Sequence, residues 1–146
     1  MKKSIFALLF SIAIVWTGKA SDVERIISFD KLPELAQSFL QTHFGGLTVA
    51  YVKEETELSG VQYEVKYTDR TEVEFNGEGQ WKKVERKNAA VPDPIIPEKI
   101  RKFLQERHAG NTVKSVEKGR LGYEVELHSG LELKFDAQQN FVRYDD

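Results

Sequence analysis

LPELAQSFLQTHFGGLTVAYV (residues 32–52) and IPEKIRKFLQERHAGNTVKSV (residues 96–116) decide the fold, because the second restates the first. At an offset of 64, Pro33, Glu34, Phe39, Leu40 and Gln41 recur as Pro97, Glu98, Phe103, Leu104 and Gln105. Gly46, Thr48, Val49 and Val52 recur as Gly110, Thr112, Val113 and Val116. The correspondence continues at an offset of 60, where YEVKYTDRTEVEFNGEGQW (63–81) aligns with YEVELHSGLELKFDAQQNF (123–141). The offset changes by four because Glu57 to Gly60 is extra in the first copy. Self-similarity of this length marks a duplicated structural unit. The expected organisation is one domain, 21–146, built from a first repeat (32–87), a linker (88–96) and a second repeat (96–146), after a short lead, 21–31.

Each copy opens with a helix. Pro33 and Pro97 stand where a first turn tolerates proline. Glu34 and Glu98 follow at the positive end of the helix dipole. Leu35, Ala36, Phe39, Leu40 and Phe44 form one apolar stripe at helical spacing, and Ile100, Phe103 and Leu104 form the other. Gly45, Gly46 and Gly110 are the stops. Strands follow. Val61, Tyr63, Val65 and Tyr67 alternate with Gln62, Glu64 and Lys66; Tyr123, Val125 and Leu127 alternate with Glu124 and Glu126. Period two with one polar side predicts half-buried antiparallel strands. They are expected at 48–57, 61–67, 71–75 and 81–87, then at 112–118, 121–127, 131–135 and 141–145.

Parity fixes the central hairpins. Paired residues share a face, so a three-residue loop at 68–70 pairs Val65 with Val73 and Tyr63 with Phe75. His128-Ser129-Gly130 does the same in the second copy. The last loop position wants a left-handed residue, which Gly130 supplies easily and Arg70 at some steric cost. The connector NAAVPDPII (88–96) carries prolines that favour an extended path. The fold class expected is α+β: one helix plus a four-stranded antiparallel meander, twice.

The N-terminus sets the compartment. Met1-Lys2-Lys3, an apolar run from Ser4 to Trp16, and Gly18-Lys19-Ala20 before Ser21 form a signal-peptide pattern over 1–20. The apolar run, roughly 13 residues, is shorter than the ~20 a spanning helix needs. With no cysteine in the chain, neither a lipoprotein anchor nor a disulfide is available. The expected location is the periplasm, with no membrane insertion after cleavage. Cleavage removes Lys2, Lys3 and Lys19, leaving 18 basic against 23 acidic residues and a formal charge of −5. An acidic chain argues against nucleic acid as a partner.

These residues carry a resemblance. Leu-Pro followed by Phe-Leu, then Tyr-Glu-Val, then Glu-Val-Glu-Phe-Asn-x-x-Gly-x-Trp, resembles the PepSY-like, β-lactamase-inhibitor-like family of secreted bacterial proteins, over nearly the whole chain after the leader. The resemblance implies a tandem of helix-plus-four-strand units whose two sheets form one concave surface. It also implies a periplasmic location in Gram-negative bacteria and, for most members, no assigned function. The inhibitor that gives the fold its name uses an aromatic-rich sheet face and disulfides. This chain has no cysteine, and its corresponding face is charged, so β-lactamase inhibition is not carried over.

Enzymatic chemistry finds no support. Ser59 and Ser129 fall in turns, no glycine-rich phosphate cradle follows a strand, and His43, His108 and His128 lack partners at metal-ligand spacing. The candidate surface is the polar side of the sheet. It carries Glu64, Lys66, Glu72 and Glu74 in the first copy and Glu124, Glu126, Glu132 and Lys134 in the second. Parity sets Lys66 against Glu72 and Glu124 against Lys134. It also sets Glu64 against Glu74 and Glu126 against Glu132, and like charges directly opposed cost stability. The expected partner is a protein or peptide recognised there, with no cofactor. Trp81 joins this list because the apolar parity slips at Val84, and a bulge could turn Trp81 or Tyr144 to the open side. A second reading is calcium. The loops 76–80 and 136–140 offer Asn76, Glu78, Asp136 and Asn140 as oxygen ligands, but Trp81 stands where an EF-hand requires glycine and Lys87 where it requires glutamate. Asn-Gly and Glu-Gly are good turn formers, and a hairpin turn is the reading favoured for both loops.

Overall fold

The computed structural model describes residues 22–145; the expected signal peptide at 1–20 lies outside them. Nine strands form a single sheet in sequence order, every neighbour antiparallel. They are β1 (Val23–Ile27), β2 (Val49–Glu57), β3 (Gly60–Tyr67), β4 (Thr71–Asn76), β5 (Trp81–Arg86), β6 (Val113–Lys118), β7 (Gly122–Leu127), β8 (Glu132–Asp136) and β9 (Phe141–Asp145). Two helices, α1 (Glu34–Phe44) and α2 (Glu98–Arg107), each precede four of these strands. The chain is therefore α+β, but the two sheets expected from the sequence are one. The join is β5 against β6, where Val84 faces Val116 between Lys83↔Glu117 and Glu85↔Ser115.

Both helices pack on the same face. Ala36, Leu40 and Phe44 of α1 and Ile100 and Leu104 of α2 are buried in one cluster with Val65, Val73, Phe75, Val84, Val116, Val125 and Phe135 of the sheet. The halves match in detail. Phe39 meets Phe75 edge-on at 5.8 Å, and Phe103 meets Phe135 edge-on at 5.5 Å. Phe75 and Phe135 are buried, and full burial of such a ring is worth about 1.5–3 kcal/mol.

The three-residue hairpins are as parity requires: Val65↔Val73 and Tyr63↔Phe75, Val125↔Leu133 and Tyr123↔Phe135. Arg70 takes φ 74 and Gly130 φ 96. Two segments differ from expectation. The lead, to which the sequence assigns no element, supplies β1, held to β2 by Arg25 Nε donating to Glu54 at 2.6 Å. The connector, expected to be extended, makes a 3-10 turn at Asp93–Ile95. It packs Val91, Ile95 and Ile96 into the core, and Val91 N–H donates to the Val113 carbonyl at 2.9 Å.

Because neighbours alternate in direction, the turns after β2, β4, β6 and β8 all lie at one end of the sheet. The helices begin there too. A Cβ added to Gly79 would lie 2.8 Å from Pro33 Cβ, just ahead of α1. Lys99, in the first turn of α2, donates its Nζ to Asn140 at 2.7 Å.

Candidate binding face

The face opposite the helices is built from the polar positions of the strands, and pairing arranges them in two rows. The first row runs Ile26, Lys53, Glu64, Glu74, Lys83, Glu117, Glu124, Lys134, Arg143 across all nine strands. The second runs Tyr51, Lys66, Glu72, Glu85, Ser115, Glu126, Glu132, Asp145 from β2 to β9. The first is mixed in sign. In the second, five of the last six positions are acidic.

Directly opposed acids recur. Glu24↔Glu55, Glu64↔Glu74, Glu72↔Glu85, Glu117↔Glu124, Glu126↔Glu132 and Glu132↔Asp145 are all like-charged pairs. Among the described residues Lys134↔Arg143 is the one basic counterpart. Ion pairs soften part of this: Lys66–Glu72 at 2.8 Å, Lys134–Glu124 at 2.9 Å and Lys114–Glu126 at 3.3 Å. Eight of the expected face residues therefore sit together on the open side.

The strongest concentration is in the first half. Carboxylate oxygens of Glu64, Glu72 and Glu74 lie within 4.8 Å of one another, the one group of three ligating side chains this close among the described residues. Burial pushes the Glu64 carboxyl above its usual range, and the hydrogen bond to Glu72 adds to this against Lys53 at 3.6 Å. Burial likewise raises Glu74, opposed by Lys83 and reinforced by Glu72 and Glu117. Burial also acts to raise Glu72, but the bonds from Lys66 and Glu64 outweigh it and hold its carboxyl low. The Tyr51 hydroxyl donates to Glu64 from the next strand at 3.2 Å.

Trp81 is not on this face. Glu74 pairs with Lys83 and Phe75 with Trp81, so Lys82 is the extra residue of a bulge, and Trp81 turns toward α1, stacked on Phe39 at 6.4 Å. Val142 is the corresponding bulge in β9. It keeps Phe141 against Phe103 at 4.6 Å and puts the Tyr144 hydroxyl 3.0 Å from His108 Nε2. The parity slip was real; the bulge keeps the aromatics on the helix side.

The loops 76–80 and 136–140 use their oxygens internally. Asn76 Oδ1 accepts from the N–H groups of Glu78 and Gln80, at 3.0 and 2.9 Å. Asp136 Oδ1 accepts from Gln138 and Asn140, at 2.9 and 2.8 Å. The Asn140 N–H leads the bonds that hold Asp136 below the usual carboxylate range. Both loops are side-chain-braced hairpin turns. Glu78 is exposed at the rim of its loop, and Asn140 Oδ1 already accepts from Lys99.

Several face residues were not expected. Tyr51, Lys53, Glu85, Ser115, Glu117 and Asp145 belong to the same rows, and Lys114 reaches Glu126 from a bulge. Bulges at Ala50 and Lys114 break the alternation that would have exposed the phase of β2 and β6.

Residues 61–143 match the family model described as "Putative beta-lactamase-inhibitor-like, PepSY-like". A Bacteroides vulgatus structure described as a putative periplasmic protein is 34% identical, with a TM-score of 0.82 over 84% of this chain and 97% of that one. A Bacteroides thetaiotaomicron structure described as a putative calcium-regulated periplasmic protein is 35% identical, with a TM-score of 0.81 over 84% and 97%. A second Bacteroides vulgatus structure, described as a putative periplasmic protein of unknown function, is 36% identical, with a TM-score of 0.79 over 86% and 99%. No protein of curated function matches significantly. Among the described residues no helix is long and apolar enough to cross a membrane.

Proposed function

The chain belongs to the β-lactamase-inhibitor-like, PepSY-like family, and from that premise we propose that it is a non-enzymatic binding module of the periplasm whose open sheet face recognises a cationic protein or peptide. The observation that carries this reading is the set of opposed acids. Six like-charged pairs on one face cost stability, and a basic partner would return that cost on binding. Electrostatic complementarity of this kind gives fast, salt-sensitive association. The description of relatives as periplasmic proteins supports the location. We also read the chain as one domain of two copied units, supported by the matched Phe39–Phe75 and Phe103–Phe135 contacts.

The test is capture from envelope extract at low and high salt, with the wild type and a Glu85→Lys/Glu132→Lys variant as baits. A species held by the wild type at low salt, released by salt and not held by the variant, is the expected result. Equal capture by both baits contradicts the reading.

A second reading is calcium at Glu64, Glu72 and Glu74. Oxygen-only ligands suit that ion, the three carboxylates are already gathered, and one relative is described as calcium-regulated. Calcium, and not magnesium, should then raise the unfolding midpoint, and Glu64→Gln/Glu74→Gln should abolish the rise. No calcium-dependent shift at millimolar ion removes this reading.

A further inference from the structure

The two halves close the seam between helix start and hairpin differently. In the second half Gln139 Oε1 accepts from the Lys99 N–H at 3.2 Å, and Lys99 Nζ reaches Asn140 at 2.7 Å. In the first half Leu35 stands in the place of Lys99 and Gly79 in the place of Gln139. No polar bridge forms. What remains is an apolar notch of about 200 Å3 lined by Leu35, Phe39, Gly79, Gln80, Trp81 and Lys118. Leu35 is 54% exposed at its lip. A dry cavity of ~150 Å3 can hold a benzene, so the notch can take one leucine-sized side chain.

Such a side chain is available on the same end of the molecule. Lys118, on the wall of the notch, leads directly into the turn of residues 119–122, closed by the Gly119 N–H donating to the Gly122 carbonyl at 2.8 Å. Its tip presents Arg120 and Leu121, the latter 87% exposed. Tip and notch lie side by side on one surface. Two copies related by a two-fold axis between these features can therefore each place a tip in the other's notch, the closed reciprocal contact of an isologous dimer. Charge agrees with this. Glu34 opens α1 and Glu78 stands in the neighbouring loop, both exposed, where Arg120 of a docked tip would arrive.

We propose that this notch receives Leu121 of a second copy of the chain, with Arg120 of that copy set against Glu78 and Glu34, forming a reciprocal dimer that leaves the charged sheet face free. The contact is separate from the binding reading above and stands or falls without it.

Sedimentation equilibrium of the purified protein tests it. The wild type should dimerise at micromolar to submillimolar concentration. Leu121→Asp and Leu35→Asp, both at exposed positions, should each weaken association about tenfold or more, with unchanged unfolding midpoints. Mixing the two should restore partial association, because one intact tip then meets one intact notch. Arg120→Glu should weaken association and Glu78→Arg added to it should recover part. Leu58→Asp, on another exposed hairpin tip at this end (92% exposed), should change nothing. A wild type monomeric throughout, or a dimer lost with Leu121→Asp but kept with Leu35→Asp, overturns the proposal.

Discussion

Glu64 and Glu124 occupy the same place in the two halves, and the residues opposite them across the central hairpin differ in sign. Glu64 faces Glu74 across the strand pair, whereas Glu124 faces Lys134 and is bonded to it at 2.9 Å. One step along the strands the contrast reverses. Lys66 neutralises Glu72 at 2.8 Å, while Glu126 faces Glu132. The cores of the halves are near copies; the charges laid over them are not. Backbone and buried rings are constrained by packing, which punishes any change of volume. The open face is free of that constraint, so its residues can diverge toward a partner.

The sharpest way to break the comparison is through the shared core. Phe75→Ala and Phe135→Ala should each cost about 3–5 kcal/mol. Each should lower a single unfolding transition, because both rings join one cluster. Two separated transitions in calorimetry, one per half, would show independent units instead. Next are the glycines. Gly122 lies at φ 152, and an added Cβ would fall on the Phe135 carbonyl oxygen. Gly122→Ala should destabilise by about 2–3 kcal/mol in urea, while Gln62→Ala, the corresponding site in the first half, should be close to neutral. Gly79→Ala should also destabilise, by about 1–3 kcal/mol, from its approach to Pro33. Gln139→Ala should lose only its bond to α2, about 0.5–1 kcal/mol.

The smallest effects lie on the face itself, and their signs matter more than their sizes. Glu64→Gln should stabilise by about 0.2–1 kcal/mol at neutral pH and low salt. Glu124→Gln should destabilise. The pH dependence follows the same logic. The folded Glu64 and Glu74 carboxyls are held above their unfolded values by burial first. The folded state therefore binds their protons more tightly. Their contribution is most favourable at acidic pH and is lost as pH rises through the raised folded values. Glu64→Gln/Glu74→Gln should thus flatten the stability profile on that limb, as chemical unfolding at a series of pH values would show. An unaltered slope would assign the raised carboxyls elsewhere.

Much of this was legible in the residues. Parity alone paired Glu64 with Glu74 and Glu126 with Glu132, because a three-residue loop, unlike a two-residue one, keeps Val65 and Val73 on a common face. The repeat placed both helices. The rest depended on distant partners. Nothing local in Val23–Ile27 marks an edge strand, since its pairing with β2 is decided by residues 25 or more positions away. The β5–β6 join needs Lys83 to meet Glu117, a pairing no periodicity announces. Trp81 was ambiguous for a sound reason: one extra residue, Lys82, inverts the parity after it, and only the partner strand shows which residue is extra. The side-chain bracing of the hairpin at 76–80 is local, but the same donors and acceptors suit a metal loop, so composition could not separate the two.

The direct test of the view that this face keeps its acids at a cost to the fold is the urea midpoint of a Glu64→Gln/Glu85→Gln/Glu132→Gln variant at neutral pH in low salt. A midpoint above that of the wild type, converging with it as salt is raised, is the expected result. A midpoint equal to or below the wild type would mean that the opposed acids carry no repulsion, and the reason for assigning them to a cationic partner would be gone.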